Sequence, residues 1–259
     1  MAEEIRVLVV GAAGRMGRTV TSAVHAAEGL CVVGGLDRRE LATGLDIPCF
    51  STVAEAVELT QPQVAIDFTH AEPARINLPA LLDAGVALVI GTTGLDQTEQ
   101  DDLAARARER GVPAFLAANF ALGAVLMMRF AAEAAKYYQF AEVIEYHHEQ
   151  KRDAPSGTAI KTVEGMLAAR GHAFSDTPAD EVEVIAGSRG GQQGFVHLHS
   201  VRMPGVVADQ DVLFGGQGET LRISHRSLDR TCFMPGVVLA AQRVLGLPAG
   251  LTIGLDALL

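Results

Sequence analysis

The chain has 259 residues, of which 49% are hydrophobic and 20% charged, a composition typical of a folded globular protein and unlike that of a disordered one. Its formal net charge of −10 argues against nucleic acid or an anionic membrane as the main partner, although a local basic pocket could still bind a small anion. The cysteines Cys31, Cys49 and Cys232 are odd in number and widely spaced, which favours reduced thiols over disulfides or structural zinc.

The N-terminal part of the chain alternates short apolar runs with helical patterns. It begins with two acidic residues where a secretory signal would carry positive charge, and no apolar run approaches the roughly 18 residues of a membrane span, so we expect a soluble, cytoplasmic protein. Apolar runs predict strands at residues 5–10, 64–68 and 87–90, and periodic patterns predict helices at 18–27, 74–84 and 97–110. This alternation predicts an α/β fold with a parallel sheet covered on both faces.

A glycine-rich loop follows the first predicted strand. Gly11 permits a tight turn, Gly14 lets a pyrophosphate approach the backbone, and Gly17 lets the helix pack closely on the strand. The spacing G-x-x-G-x-x-G departs from the commoner G-x-G-x-x-G, so the loop alone is also compatible with an ordinary strand–helix turn. Asp37 lies 20 residues after Gly17, at the end of the second strand, where an acid that binds the cofactor ribose is expected.

Basic residues near this acid leave the choice of nicotinamide cofactor open. Arg38 follows Asp37 directly and Arg15 lies in the loop, and either could bind the 2′-phosphate of NADPH, whereas Asp37 suits the ribose hydroxyls of NADH. Turns at residues 66–69 and 91–94 also follow predicted strands. Since ligands bind at the carboxyl ends of parallel strands, we expect these two turns on the nicotinamide side.

The pattern changes after residue 119, which places a domain boundary near residue 118. Two helical patterns, at 123–138 and 157–170, flank a predicted strand at 141–148. Four glycine-punctuated runs predict further strands at 181–185, 195–202, 206–214 and 219–225. Strands that follow one another without helices indicate a second, α+β domain with a mostly antiparallel, open mixed sheet. A last helix, from about residue 236 to 244, is expected to return to the first domain.

Residues 145–159 combine three chemical groups in one short segment, EYHHEQKRDAPSGTA. His147 and His148 can exchange protons near neutral pH, Lys151 is positive, and residues 156–158 begin a helix whose backbone N–H groups can bind an anion. This combination suggests a small acidic substrate that is protonated. In a strand the two histidines would face opposite sides, so we expect one to donate the proton and the other to support or contact the substrate.

Other interpretations of this segment stay open from the residues alone. Lys151 could form a Schiff base, although its charged neighbours favour an electrostatic role, and Ser156 could simply cap the helix. The sequence has no G-x-S-x-G or H-E-x-x-H motif. A site built from His197, His199 and His225 would lack a clear carboxylate or thiolate partner, so we expect no metal.

Five motifs carry a resemblance to a known family: GAAGRMG at 11–17, DFT at 67–69, GTTG at 91–94, ANF at 118–120, and the whole segment 145–159. Together they resemble the 4-hydroxy-tetrahydrodipicolinate reductase family, formerly called dihydrodipicolinate reductases. The similarity covers essentially the whole chain, and the last motif is the most specific. Many members have serine after ANF, where this chain has Ala121, so a side-chain contact at this position is in doubt.

The resemblance implies an N-terminal Rossmann domain of residues 1–118 and 231–259, with a substrate-binding and oligomerisation domain at 119–230. It also implies NADH or NADPH as cofactor, a cyclic dicarboxylate imine of diaminopimelate and lysine biosynthesis as substrate, and a homotetramer. His147 would donate the proton, with Lys151 as the second catalytic residue. Substrate binding would involve His148, Lys151, Ser156, Gly157 and Thr158. Cofactor binding would involve Gly11, Ala12, Ala13, Gly14, Arg15, Met16, Gly17, Asp37, Arg38, Phe68, Gly91, Thr92, Thr93, Ala118, Asn119 and Phe120.

Two other functions remain as alternatives. The protein could be a nicotinamide-dependent dehydrogenase that acts on another small keto or imino acid. It could also be a regulator that senses nucleotides through a Rossmann domain without turnover. A sensor, however, has no need for a paired histidine, a lysine and an anion site in its second domain.

Overall fold

The computed structural model describes residues 4–38, 44–176 and 182–259. The chain divides into two compact units. Unit 1 comprises Met1–Leu122 and Arg230–Leu259, and unit 2 comprises Gly123–Asp229. Unit 2 is therefore one continuous segment inserted between two segments of unit 1.

The strands and helices of the described residues are numbered in chain order. The strands are β1 (Ile5–Val10), β2 (Leu30–Leu36), β3 (Cys49–Phe50), β4 (Val64–Asp67), β5 (Ala87–Ile90), β6 (Pro113–Leu116), β7 (Phe140–His147), β8 (Gly191–Gln193), β9 (Val196–Arg202), β10 (Ala208–Gly216), β11 (Glu219–His225) and β12 (Gly250–Ile253). The α-helices are α1 (Arg15–Ala26), α2 (Val53–Thr60), α3 (Ala71–Asp83), α4 (Gln97–Arg110), α5 (Leu122–Ala134), α6 (Gly157–Arg170) and α7 (Met234–Arg243). Within these described ranges, no helix is both long and apolar enough to cross a membrane.

Unit 1 is built around a seven-stranded sheet in the order β12-β6-β5-β4-β1-β2-β3, in which every pairing is parallel. The order β3-β2-β1-β4-β5-β6 is that of the doubly wound Rossmann fold, here extended by β12. β4 and β5 are buried at every residue, as the central strands of a parallel sheet are. The strand order reverses between β1 and β4, so the loops after these two strands flank the crevice where such sheets bind ligands.

Unit 2 contains a five-stranded sheet in the order β11-β10-β7-β9-β8. β7 and β9 are parallel and the other pairings are antiparallel, so the sheet is mixed and open. Residues of α5 and α6 pack on one face of this sheet, in a core that includes Met127, Val163, Met166, Val143 and Val212. The predicted fold class, a Rossmann-type domain with a second mixed-sheet domain, is confirmed.

The predicted strand at residues 181–185 is wrong over residues 182–185, and residue 181 lies outside the described residues. The carboxylate of Glu183 accepts hydrogen bonds from the backbone N–H groups of Gly187 (2.8 Å) and Arg189 (2.9 Å). These bonds hold a local turn, which leaves Val184 exposed instead of packed in a sheet. The edge strand of this sheet, next to β9, is β8, which the sequence pattern did not predict.

Candidate active site

The glycine loop between β1 and α1 has the geometry of a nucleotide-binding turn. A Cβ atom at Gly17 would lie 2.0 Å from the carbonyl oxygen of Gly11, so only glycine allows α1 to start this close to the loop. Gly14 directly precedes α1 and no side chain caps the helix. Within the described residues, the first N–H groups of α1 therefore have no side chain at the cap position to accept from them, and a helix start of this kind can bind a pyrophosphate.

Asp37 is fixed beside this loop by two backbone hydrogen bonds. Its Oδ2 accepts from the N–H of Ala13 (2.9 Å) and its Oδ1 accepts from the N–H of Arg38 (2.8 Å). Each carboxylate oxygen can accept a further bond, which suits the hydroxyl groups of a ribose. The Arg38 side chain is exposed at the same place. The predicted acid and its basic neighbour thus lie next to the glycine loop.

A cavity of about 660 Å³ in unit 1 adjoins these residues, a volume usual for small-molecule sites. The predicted cofactor residues in its lining are Ala13, Gly14, Asp37, Arg38 and Phe68. The other predicted cofactor residues do not line it: Gly11, Ala12, Arg15, Met16, Gly17, Gly91, Thr92, Thr93, Ala118, Asn119 and Phe120. The cavity also has His70 and Glu72 in its wall. With the uncapped start of α1, it fits the ribose and phosphate groups of a dinucleotide.

Phe68 connects this cavity to the turns after β5 and β6. A Cβ at Gly91 would lie 2.2 Å from the Phe68 ring, so the ring packs against the glycine backbone. On its other side the Phe68 ring lies 5.5 Å, between centroids, from the ring of Phe120. The turns that the sequence predicts for the nicotinamide side are therefore held together by one aromatic side chain. Thr93, in the turn after β5, and Ala118, which follows β6, are exposed.

Asp67, at the end of β4, is a buried carboxylate that holds two of these turns together. Its Oδ1 accepts hydrogen bonds from the N–H and hydroxyl of Thr69 (3.0 and 2.9 Å) and from the hydroxyl of Thr92. Burial raises the pKa of Asp67, although the bonds from Thr92 and Thr69 act in the opposite direction. The residue therefore has a structural position beneath the loops and not in the cavity wall.

In unit 2, the alternation of β7 brings His147 onto the same face as a buried glutamate. Ala141, Val143 and Glu145 point into the core, and His147 follows on that face at the end of the strand. The Glu145 side chain is only 1% exposed, and one of its oxygens is hydrogen-bonded to Nδ1 of His147. His148 lies beyond the end of β7 and is exposed, so the two adjacent histidines are not equivalent.

Arg202, on the neighbouring strand β9, binds Glu145 with both ends of its guanidinium group. Nη1 donates to Oε2 at 2.9 Å and Nη2 donates to Oε1 at 2.7 Å. Burial alone would raise the pKa of Glu145, but hydrogen bonds from His147, Arg202 and Ser200 outweigh it and lower that pKa to about 2. Glu145 is therefore ionised near neutral pH and can only accept hydrogen bonds.

Lys151 lies in a polar turn after β7. Its backbone N–H donates to the carbonyl of His148 (3.1 Å), and its ammonium group contacts both carboxylate oxygens of Asp153 at 2.9 Å. The Asp153 side chain is 63% exposed, and ion pairs with this degree of exposure contribute little free energy. Lys151 can therefore exchange Asp153 for the carboxylate of a ligand at small cost, which supports an electrostatic role over a desolvated nucleophile.

The start of α6 holds the three remaining predicted substrate residues. The Ser156 hydroxyl accepts from the N–H of Ala159 (3.2 Å) and caps the helix, while the Ser156 N–H donates to Glu145 Oε1 (3.2 Å). Both the hydroxyl and the N–H of Ser156 therefore have structural hydrogen-bond partners. The N–H groups of Gly157 and Thr158 come next in the first turn, where the helix dipole favours an anion.

Sequence reasoning missed Glu145 and Arg202, which hold the histidine and the helix start in place. The strand pattern contained a signal for Glu145, since Val143, Glu145 and His147 are spaced two apart and so share a face. Nothing local pointed to Arg202, because its partner lies 57 residues away and meets it through the register of β7 with β9.

The histidines of β9 take part in a separate polar cluster. His199 Nε2 lies 3.1 Å from Glu142, and His197 Nδ1 lies 2.8 Å from the carbonyl of Arg189. No group of three or more histidine, cysteine, aspartate or glutamate side chains in the described part of the chain is arranged to hold a metal ion.

Comparison with known proteins identifies the family. Residues 5–120 match the family model "Dihydrodipicolinate reductase, N-terminus", and residues 123–259 match "Dihydrodipicolinate reductase, C-terminus". The chain is 44% identical to the 4-hydroxy-tetrahydrodipicolinate reductase of Moorella thermoacetica, covering 100% of this chain and 99% of that one. It is also 44% identical to the reductase of the same name from Syntrophomonas wolfei, covering 95% of each.

A solved structure agrees with these matches. The dipicolinate-bound dihydrodipicolinate reductase from Paenisporosarcina sp. TG-14 superposes with a TM-score of 0.89 at 33% identity, covering 99% of this chain and 100% of the other. The resemblance inferred from the motifs is confirmed over both units. These matches show that the protein is an oxidoreductase with a Rossmann-type nicotinamide-binding domain. The chain belongs to the dihydrodipicolinate reductase family.

Proposed function

We propose that the protein reduces 4-hydroxy-tetrahydrodipicolinate to tetrahydrodipicolinate with NADH or NADPH, in the diaminopimelate route to lysine. The curated relatives carry the name of this activity, and the solved relative holds dipicolinate. The observation that carries the proposal is the arrangement of His147. It is hydrogen-bonded to a buried carboxylate, and that same carboxylate binds the start of α6, where an anionic substrate can be held.

In the net reaction the substrate loses its 4-hydroxyl group as water and gains a hydride and a proton, while the reduced nicotinamide is oxidised. Bound NADH or NADPH supplies the hydride. His147 supplies the proton from Nε2, because Nδ1 is engaged by Glu145. Proton transfer leaves the imidazole neutral with its remaining hydrogen on Nδ1, which is the tautomer that an ionised Glu145 accepts from.

The two carboxylates of the substrate need cationic or N–H partners. We assign one substrate carboxylate to Lys151, which is positively charged and forms only a weak, exposed ion pair with Asp153. The N–H groups of Gly157 and Thr158 at the start of α6 are assigned to the other, with Ser156 acting as the cap that fixes them. His148 is exposed, lies three residues before Lys151, and is assigned a substrate contact.

Cofactor binding is assigned to the domain of residues 1–118 and 231–259, and substrate binding to residues 119–230. We propose that both NADH and NADPH are accepted. The Asp37 carboxylate can accept a hydrogen bond from the 2′-hydroxyl of NADH. Arg38 lines the same cavity and can form an ion pair with the 2′-phosphate of NADPH. Asp37 would face that phosphate as a like charge, so we expect NADH to bind more tightly.

The test is a turnover assay with enzymatically generated 4-hydroxy-tetrahydrodipicolinate. The absorbance of NADH or NADPH is followed in separate reactions, and the product is identified by mass spectrometry. We expect oxidation of both cofactors, with the lower KM for NADH. Reactions without substrate, and reactions with small keto acids in its place, serve as controls.

Each alternative gives a different result in this assay. Turnover of a small keto or imino acid but not of the cyclic substrate would identify a different dehydrogenase. Cofactor binding, measured by fluorescence, without oxidation in any reaction would indicate a nucleotide sensor. Oxidation of only one cofactor would overturn the proposal that Asp37 and Arg38 allow the protein to use both NADH and NADPH.

We further propose a cytoplasmic protein, as the sequence leads us to expect, and a homotetramer, as the family resemblance implies. The sheet of unit 2 supports this assembly, since α5 and α6 cover only one of its faces. The opposite face carries Ile144 of β7, Val201 of β9 and Leu213 of β10. A half-buried apolar strip on an open sheet is the kind of surface that a second copy of a chain covers.

A further inference from the structure

We propose that Glu145 and Arg202 are positioning residues, which together couple the proton donor His147 to the anion-binding start of α6. The inference deepens the proposed function and rests on it for the identity of the proton donor. Neither residue needs to touch the substrate. Their effect would pass through the groups that they hold, namely the His147 ring, the Ser156 N–H and the loop that carries Lys151.

The ion pair between Glu145 and Arg202 contacts three segments of the proposed substrate site: the end of β7, the start of α6 and the loop that carries Lys151. The Glu145 carboxylate is hydrogen-bonded to His147 Nδ1 through Oε2 and accepts a hydrogen bond from the Ser156 N–H through Oε1. The guanidinium group adds a third connection, because Arg202 Nη2 also donates to the carbonyl of Asp153 at 2.7 Å. A strand, a helix start and the lysine loop are therefore fixed by two side chains.

Stability alone is a weak reason to keep this pair. Removing two charges from water is costly, and replacing a buried ion pair by apolar residues is often neutral or stabilising. The carboxylate is 1% exposed and the Arg202 side chain 18% exposed, so most of that cost applies here. A pair of this kind is better explained by what it orients, and here its hydrogen bonds orient the proton donor.

The pair also fixes which nitrogen of His147 exchanges the proton. An ionised carboxylate only accepts hydrogen bonds, so the neutral ring must keep its hydrogen on Nδ1. Nε2 is left to donate and recover the catalytic proton. Without Glu145 the neutral ring can carry its hydrogen on either nitrogen, so Nε2 is no longer the one nitrogen that exchanges the proton.

The charges of the pair oppose each other beside the histidine. Glu145 and Arg202 carry opposite charges, and Glu145 contacts both the His147 ring and the Arg202 guanidinium group, so the two charges act on the ring in opposite directions. Two polar, uncharged residues neighbour the pair: Ser200 on β9, and Gln210 on β10, which lies opposite Glu145 in register. The Asp153 carboxylate, in the loop, also acts on Arg202 through its charge. Lys151 and Asp153, in the loop, pair with each other. Removing either member of the pair alone should therefore shift the titration of His147, in opposite directions.

The test uses four proteins: the wild type, Glu145→Gln, Arg202→Met, and the double variant that carries both changes. The His147 ring is titrated by NMR on histidine-labelled protein, with its signal assigned by loss in His147→Gln. We expect the midpoint to move to lower pH in Glu145→Gln and to higher pH in Arg202→Met, by about one pH unit or more each. The double variant removes both charges and should return close to the wild-type midpoint.

Activity provides the second readout. The alkaline limb of the kcat profile should move in the same directions as the NMR midpoints. Circular dichroism and thermal unfolding show whether each variant is folded. If Arg202→Met does not fold, Arg202→Lys replaces it, and the expected result is an unchanged midpoint with a reduced kcat, because the charge is kept but the two-ended contact is lost.

Two results would overturn the proposal. One is a His147 midpoint that does not move in folded Glu145→Gln. The other is a midpoint that moves in the same direction in both single variants. The NMR titration needs no turnover. A failure of the proposed positioning role can therefore be distinguished from a failure of the proposed reductase activity. An inactive wild type with the expected opposite shifts would refute the proposed substrate and leave the coupling intact.

Discussion

His147 lies two residues after a buried carboxylate, and the alternation of a β-strand turns that spacing into a hydrogen bond. Lys151 lies four residues further on, in a turn where its ammonium group pairs with the exposed Asp153. One of these side chains is held rigidly and the other can change partner. This difference matches the division of labour that we propose, with proton donation by His147 and carboxylate binding by Lys151.

Substitutions at these two positions should separate the catalytic step from binding. His147→Gln removes the proton donor, so we expect kcat to fall by about 10²- to 10⁴-fold with little change in KM. Lys151→Ala removes a charged contact to a carboxylate, so we expect KM for the dicarboxylate to rise by about 10- to 100-fold. Steady-state kinetics at saturating cofactor measures both effects.

Lys151→Arg is the matched control for the second change, because it keeps the positive charge. It should retain a KM within a few fold of the wild type. If both His147→Gln and Lys151→Ala raised only KM, His147 would have to be reassigned to substrate binding. A lost kcat in Lys151→Arg would point to a chemical role for the amine.

Local signals were enough to predict some elements to the residue, namely α4, α6 and the apolar strands β1 and β5, but not the short strands β3, β8 and β12. The structure has α4 at Gln97–Arg110 and α6 at Gly157–Arg170, as the sequence predicts. Asp96 and Ser156 cap their starts, and a glycine follows each end. Such signals act within a few residues and can be read from the chain alone.

The short strands and the ion pair depend on distant partners. β3 has only two residues, and β12 has four and pairs with β6, far earlier in the chain. Neither segment is a continuous apolar run bounded by turn signals, like the run that identifies β5 in the sequence. The glycine loop, Asp37 and His147 could be selected from the sequence because their chemistry and spacing are local. Arg202 could not, because only the register of β7 and β9 brings it to Glu145.

The cap of α6 offers a prediction at this scale. Ser156→Ala removes the hydroxyl that accepts from the N–H of Ala159, so we expect the free energy of unfolding to fall by about 1 kcal/mol. KM for the dicarboxylate should rise as well, because the N–H groups of Gly157 and Thr158 lose their fixed orientation. Urea unfolding and steady-state kinetics measure the two effects.

Ser156→Thr is the control for this change, since it keeps a hydroxyl at the cap. We expect it to stay close to the wild type in both measurements. A Ser156→Ala variant with lower stability but unchanged KM would show that the start of α6 does not bind substrate.

For the whole molecule, the two sheets differ in how their faces are used. The strands of unit 1 are parallel, and its central strands β4 and β5 are buried at every residue. The sheet of unit 2 has α5 and α6 on one face, and its other face combines the apolar strip with Asp211. Asp211 is fully buried and accepts hydrogen bonds from Arg222 (2.5 Å) and from Tyr146 (3.1 Å). A face with this mixture of apolar and paired polar groups suits an interface between copies of the chain.

The proposed assembly can be tested on that face. Ile144→Asp places a charge on the apolar strip, so we expect the mass measured by light scattering to fall from about four times the 27.3 kDa chain mass. Ile76→Asp is the matched control, because Ile76 is 72% exposed on α3 of unit 1. Thermal unfolding checks that both variants are folded. A four-chain mass that persists in folded Ile144→Asp would place the interface elsewhere.

The insertion of unit 2 into unit 1 also sets an order for folding during synthesis. β12 pairs with β6, so the sheet of unit 1 cannot be completed until residues 250–253 have left the ribosome. Unit 2 is continuous, and all of its strands are available once Asp229 has emerged. The unit whose sequence begins first is therefore the last to finish. Until then the unpaired side of β6 is an open sheet edge, which a nascent chain must protect from pairing with other strands.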